Sequence, residues 1–147
     1  YHQSINKKEL TVDEFKEGVL HVYKANEVLK RSKINPYLNL LARNWFQVKN
    51  ADEVFAISSL KKFGDTLHVK GGTAWAVQMA IDAKKKVFVY DQDVTTWFYY
   101  DDKAFSFKEL QQIPKINAHH FAGIGTRNIN MFGIAAIEEL FTNTFQK

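Results

Sequence analysis

The chain has 147 residues, a length that suits one domain with enough material for a real core, and 46% of its residues are hydrophobic. A formal charge of +4, evenly scattered, is compatible with anionic ligands but too small to indicate nucleic acid by itself. The lack of cysteine excludes a disulfide framework, a thiolate metal site and a cysteine nucleophile, and no apolar run is long enough to span a bilayer. No basic-then-apolar signal segment opens the chain, so a soluble, cytoplasmic protein is expected.

Thr11-Val12-Asp13-Glu14 is a capping box, and Val12, Phe15, Val19, Val22 and Leu29, supported by Leu20 and Tyr23, recur at helical spacing through Lys30. This predicts a core-facing helix. Asn35-Pro36 starts a second helix, with Asn35 able to cap, Pro36 at the first helical position, and Tyr37, Leu38, Leu41, Trp45 and Val48 as its stripe. Val54 to Ile57 is a short apolar run of the kind that forms a buried strand. Ser58 to Val69 contains a Phe63-Gly64-Asp65-Thr66 turn and reads as an excursion or hairpin, with Lys61, Lys62 and His68 assigned no specific chemistry.

Gly71-Gly72-Thr73 then opens a segment with helical apolar spacing that runs to Ala83. Strand, glycine turn and helix together expose backbone N–H groups at the positive end of a helix, a ready site for phosphate. The side-chain-free turn lets a ligand approach the backbone. Trp75 could stack on a purine, though core packing is the commoner fate of a tryptophan. Lys84-Lys85-Lys86 reads as a helix end. Val87 to Tyr90 is the next strand, too continuously apolar to be one-sided, so a central place in a parallel sheet is expected. Asp91 and Gln92 follow at its carboxyl end, where they could accept from ribose hydroxyls, read a base edge, or cap a loop.

Thr95 to Tyr100 and Ala104 to Phe107 flank Asp101-Asp102-Lys103 and predict an aromatic β-hairpin, suited to shielding a sheet edge or forming a subunit interface. His119 to Arg127 reads as strand then glycine turn, with Ile129, Phe132, Ile134, Ile137, Leu140 and Phe141 marking the helix that follows. Gly123 and Gly125 allow close backbone approach, Thr126 offers a hydroxyl, and Arg127 can make a bidentate contact with an anion. His119 and His120 are expected to alternate along the strand. Without an acidic partner at ligating distance in sequence, no metal site is expected, and no cofactor is implied. The fold expected from these elements is α/β, a Rossmann-like three-layer domain with a mainly parallel sheet over residues 1–147, plus the aromatic hairpin.

Arg43, Ala51-Asp52, the apolar strand and the Gly71-Gly72 turn occur in an order that resembles the lysine-decarboxylase-like LOG ("lonely guy") phosphoribohydrolases and the wider SLOG superfamily of Rossmann-like nucleotide binders. In that family an Arg-Lys pair precedes Ala-Asp by the same interval, and Pro-Gly-Gly-x-Gly-Thr-x-x-Glu begins the helix. Here Lys70 stands at the family's proline, Ala74 at its third glycine, Trp75 at its threonine, Asn44 at its lysine and Gln78 at its catalytic glutamate. Gly123-Ile124-Gly125-Thr126-Arg127 is similar to the first strand-turn-helix of SLOG domains, but comes last here, which implies a circular permutation. Relatives also carry a further strand-helix unit that could lie upstream of Tyr1.

The resemblance implies binding of a nucleotide or nucleotide-derived molecule by Arg43, Gly71, Gly72, Thr73, Asp91, Gln92, Gly123, Gly125, Thr126 and Arg127. Arg43 and Gln78 are the candidates for catalysis. A glutamine can neither take a proton from water nor stabilise positive charge on ribose, so sensing or sequestration is expected ahead of N-glycosidic hydrolysis. Hydrolysis with Asp82, Asp91 or Asp93 as an unconventional carboxylate is a second expectation. A third is single-stranded DNA binding of the DprA kind, against which the absence of a basic stripe weighs. The hairpin and the apolar helices make a homodimer a reasonable expectation.

Overall fold

The computed structural model describes residues 9–145. The capping box forms as expected: Thr11 Oγ1 accepts from the Glu14 N–H at 3.1 Å, and Glu14 Oε1 accepts from the Thr11 N–H at 2.9 Å. It opens helix α1 (Val12–Leu29), which Lys30 closes in the left-handed conformation. The buried line of α1 is Gly18, Val22 and Ala25, so of the expected bulky stripe Val22 alone is fully buried. Val12, Leu20 and Tyr23, expected in the core, are exposed, with Val12 at 72% and Leu20 at 70%.

The reason lies in a helix crossing. A β-carbon on Gly18 would sit 2.8 Å from both Cβ and O of Ala42, on helix α2 (Leu38–Lys49). Two small residues let the backbones meet, and the large neighbours are turned outward. A 3-10 turn, Asn35–Tyr37, precedes α2, and Asn35 makes no side-chain cap. Trp45 fastens the crossing: its indole N–H donates to Glu17 Oε2 at 2.8 Å, and His21 stacks on its ring at 3.6 Å. Lys49, paired with Glu17 at 2.8 Å, and then the indole hold the Glu17 carboxyl below its usual range.

The chain then enters strand β1 (Glu53–Ser58), all six residues of which are buried. A separate antiparallel hairpin follows, β2 (Leu60–Phe63) with β3 (Thr66–Val69), then helix α3 (Thr73–Asp82) and strand β4 (Lys86–Asp91). Strands β5 (Thr96–Asp101) and β6 (Ser106–Glu109) form the aromatic hairpin, and β7 (Phe121–Gly125) leads to helix α4 (Met131–Phe145). The main sheet runs β6-β5-β4-β1-β7. Its three-strand core, β4, β1 and β7, is parallel, and the hairpin extends it antiparallel from β4. Val87 to Tyr90 is thus the middle strand of the five, but it lies at the border of the parallel part, with β1 parallel on one side and β5 antiparallel on the other.

Alternation along the strands sorts the core into two faces. Val54, Ala56, Val87, Val89 and Ala122 pack with α1, α2 and α3, while Phe55, Ile57, Tyr90 and Trp97 pack with α4. The architecture is a Rossmann-like three-layer α/β arrangement. His119 and His120 do not alternate along a strand: they form a bend before β7, and the His120 carbonyl accepts from the Asp52 N–H at 2.8 Å. The buried Glu53 carboxylate secures the long return to β7, since its Oε1 accepts from the N–H groups of Asn117 and Ala118 at 2.8 and 2.9 Å.

Gly18→Ala should test the crossing. In an exposed helix this change is favourable by about 1 kcal/mol. Here the added methyl meets Ala42, including its backbone, so denaturant unfolding should show a net loss of about 1–3 kcal/mol.

Candidate functional site

The parallel core has a topological switch at β1. The helix that follows β1, α3, lies on one face of the sheet, and the helix that follows β7, α4, lies on the other. In open α/β sheets such a divergence is where ligand-binding crevices form, beyond the carboxyl ends of the strands. Ser58 at the end of β1 is in register with Asp91, and Ile57 with Gly125. The β2–β3 hairpin leaves this point and returns to it: Lys70 N–H donates to the Ser59 carbonyl at 3.0 Å, and Ser58 Oγ donates to the Lys70 carbonyl at 3.3 Å. Gly71 and Gly72 are therefore delivered to the sheet edge where the Gly125 turn also lies.

At the first corner Gly71 has φ +70°, a conformation that favours glycine. Among the described residues, the N–H groups of Gly71, Gly72 and Thr73 have no hydrogen-bond partner. Gly71 and Gly72 are exposed, and a β-carbon on Gly72 would meet nothing within 4 Å. Arg31 Nη1 donates to the Gly71 carbonyl at 2.9 Å, and its guanidinium lies 5.9 Å from the Trp75 ring centre. This sets a fixed positive charge beside the positive end of α3. Arg31 had no sequence signal, because it reaches the corner from 40 residues away. Trp75 is buried in the core, not held open for a base.

The second corner differs. Thr126 N–H donates to the Ile57 carbonyl at 3.1 Å, and the Thr126 hydroxyl is 3.5 Å from the Asn128 N–H. Asn130 caps α4, its Oδ1 accepting from Phe132 and Gly133 at 2.9 and 3.0 Å, so these amides are already satisfied. Gly123 and Gly125 are exposed, with open space where side chains would stand. Arg127 is exposed and Arg43 half-buried, and neither has a hydrogen bond or ion pair among the described residues. Gln47 Nε2 lies 3.5 Å from the Gly123 carbonyl. Arg43 lies one turn before Gln47 on α2, about 6 Å along the helix axis.

Asp91 and Gln92 sit at the crevice but their side chains are engaged inside the protein. Asp91 Oδ2 accepts from the Leu60 N–H at 3.1 Å and Oδ1 from the Asp93 N–H at 2.9 Å. Gln92 donates to the Asn128 carbonyl and accepts from the Asn130 N–H, both at 2.9 Å. They shape the two corners instead of facing a sugar. Gln78 points elsewhere. It lines a hollow of about 170 Å³ with Val28, Leu67, Tyr100 and Phe107, and its amide donates to Asp82 Oδ1 at 3.0 Å. Among the described residues the other Asp82 oxygen is buried without a partner, and burial raises that carboxyl above its usual range. Among the described residues no three His, Asp or Glu side chains are grouped to hold a metal.

Comparison with models of known protein families, with curated proteins and with solved structures gives no match to this chain.

Two changes probe this arrangement. Gln92→Leu strands the Asn128 carbonyl and the Asn130 N–H, and should cost about 2–4 kcal/mol in denaturant unfolding. Asp82→Asn has the opposite sign. The folded state holds the Asp82 proton more tightly than the unfolded chain does, so stability is lost as pH rises from the unfolded value through the folded one. The amide should raise the melting temperature at pH 7, and the gain should shrink as the pH falls toward about 4.

Proposed function

We propose that this chain binds a nucleotide or nucleotide-derived small molecule at the carboxyl edge of its parallel core, as a sensing or sequestering module of SLOG-like character. One observation carries the reading: the two glycine corners border the same end of β1, with their helices on opposite faces of the sheet. The free N–H groups of Gly71, Gly72 and Thr73, the positive end of α3 and the Arg31 guanidinium suit a phosphate. Arg127, exposed two residues beyond Gly125, can supply a second positive charge.

Binding is favoured over N-glycosidic hydrolysis by the side chains at hand. Gln78 is neutral and turned toward the hollow, and both Asp91 oxygens accept backbone N–H groups, which suits them poorly to abstract a proton. A cytoplasmic setting belongs to the same reading, and no described helix is long and apolar enough to cross a membrane.

The test turns on Gly72. Its backbone is right-handed helical and a side chain there meets open space, so Gly72→Val should leave the free protein's melting temperature nearly unchanged while filling the phosphate approach. A nucleoside monophosphate at one hundred times its Kd should stabilise the unmodified protein by about 2.7 kcal/mol and be recovered intact. Gly72→Val and Arg127→Ala should abolish that shift. No shift with any nucleotide, or an equal shift in Gly72→Val, rules the site out.

A further inference from the structure

We propose that two copies of this chain pair antiparallel through the free edge of β7, about a twofold axis at Gly123, making one continuous sheet. This inference does not depend on the ligand reading. The hydrogen-bonding pattern of β7 supplies the first argument. The His120 carbonyl and the Thr126 N–H both bond toward β1, so by alternation Phe121, Gly123 and Gly125 direct their N–H and C=O groups to the outer edge. There, among the described residues, the Gly123 carbonyl meets only the Gln47 amide, at 3.5 Å. A twofold at Gly123 pairs Gly123 with its own copy and Phe121 with Gly125 of the second copy. All three outward residues then fall in mutually hydrogen-bonded pairs.

The side chains fit the same register. Phe121 is 39% exposed and shares the α4 face of the sheet with Gly123 and Gly125, whose missing β-carbons would meet nothing within 4 Å. Antiparallel pairing lays each Phe121 ring over the vacant Gly125 of the other copy, an arrangement that compensates edge glycines. On α4, residues 134, 141 and 145 share the flank nearest this edge, as the 6.2 Å contact of Phe141 with Phe121 shows.

Ile134, Phe141, Phe145, Met131 and Phe121 are 51%, 40%, 67%, 72% and 39% exposed. At roughly 200 Å² per large side chain, they present on the order of 500 Å² in each copy. Two copies bring about 1,000 Å² together before the strand edges are added, enough for a specific interface. The opposite edge is built differently. Strand β6 carries Lys108 and Glu109, charges that discourage further pairing, whereas β7 has none. The register also brings His119 of the second copy across from Arg127, so the second copy would border the crevice.

The absence of cysteine makes the test clean. Paired Gly123 residues would have Cα atoms about 5.5 Å apart, inside the roughly 4.4–6.8 Å that a disulfide spans. Under mild oxidation Gly123→Cys should become a covalent dimer, while Ser32→Cys, at an exposed position away from this edge, should stay monomeric. In sedimentation equilibrium the unmodified chain should weigh twice its 17.0 kDa, and Ile134→Lys with Phe141→Lys should return it to monomer with unchanged circular dichroism. A monomeric unmodified chain at micromolar concentration overturns the proposal. So does a dimer in which Gly123→Cys cross-links no better than Ser32→Cys, or one that survives the lysine pair.

Discussion

The crevice depends on how the end of β1 is closed. Four hydrogen bonds converge there: Thr126 N–H on the Ile57 carbonyl, Gln92 N–H on the Ser58 carbonyl, Ser58 Oγ on the Lys70 carbonyl, and Leu60 N–H on the Asp91 carboxylate. Three of them tie a loop to β1 itself, and the fourth ties the start of β2 to the end of β4. Ser58, Asp91 and Gln92 are all buried, so a missing partner would leave a polar group stranded at considerable cost. That requirement makes the loops definite. The hairpin can project away from the sheet and still return its glycines to a fixed place, because Lys70 at its far root is bonded to Ser58 and Ser59, and Leu60 at its near root to Asp91.

The two corners are unequal, and the inequality gives the crevice a direction. At the first, among the described residues, the N–H groups of Gly71, Gly72 and Thr73 have no partner, and a guanidinium is already held against the Gly71 carbonyl. At the second, Asn130 has taken the amides of α4, and a β-carbon on Gly133 would sit 2.7 Å from Gln92 Oε1, so the loop is packed tightly from within. What the second corner offers is the exposed charge of Arg127. Under the proposed reading, the preorganised first corner would take a compact group such as phosphate, and the exposed arginine a larger and less demanding part of the ligand.

Local features of this chain were legible in its sequence. The capping box at Thr11, the hairpin turn at Gly64, the buried run of Val54 to Ile57 and the aromatic hairpin around Asp102 are each written within a few residues, where backbone sterics and periodicity decide. Features set by distant partners were not. Periodicity gave α1 a bulky core face, yet a glycine meeting Ala42 rotated the helix so that Val12 and Leu20 face water. Asp91 and Gln92 looked free to meet a sugar because their partners, Leu60 and the 128–130 loop, lie more than thirty positions away. Arg31 was invisible for the same reason. Gln78 occupies the expected place in the sequence motif, but helix rotation decides which surface its side chain reaches, and here that surface is the hollow beneath the β5–β6 hairpin.

Strand β7 joins these themes through its glycines. At the edge, their lack of side chains removes the usual means of blocking another strand, and no charge replaces it. The economical solution is to cover the edge with something that adds no side chain to it, and a second β7 running the opposite way meets that condition, with Phe121 supplying the bulk that Gly125 lacks.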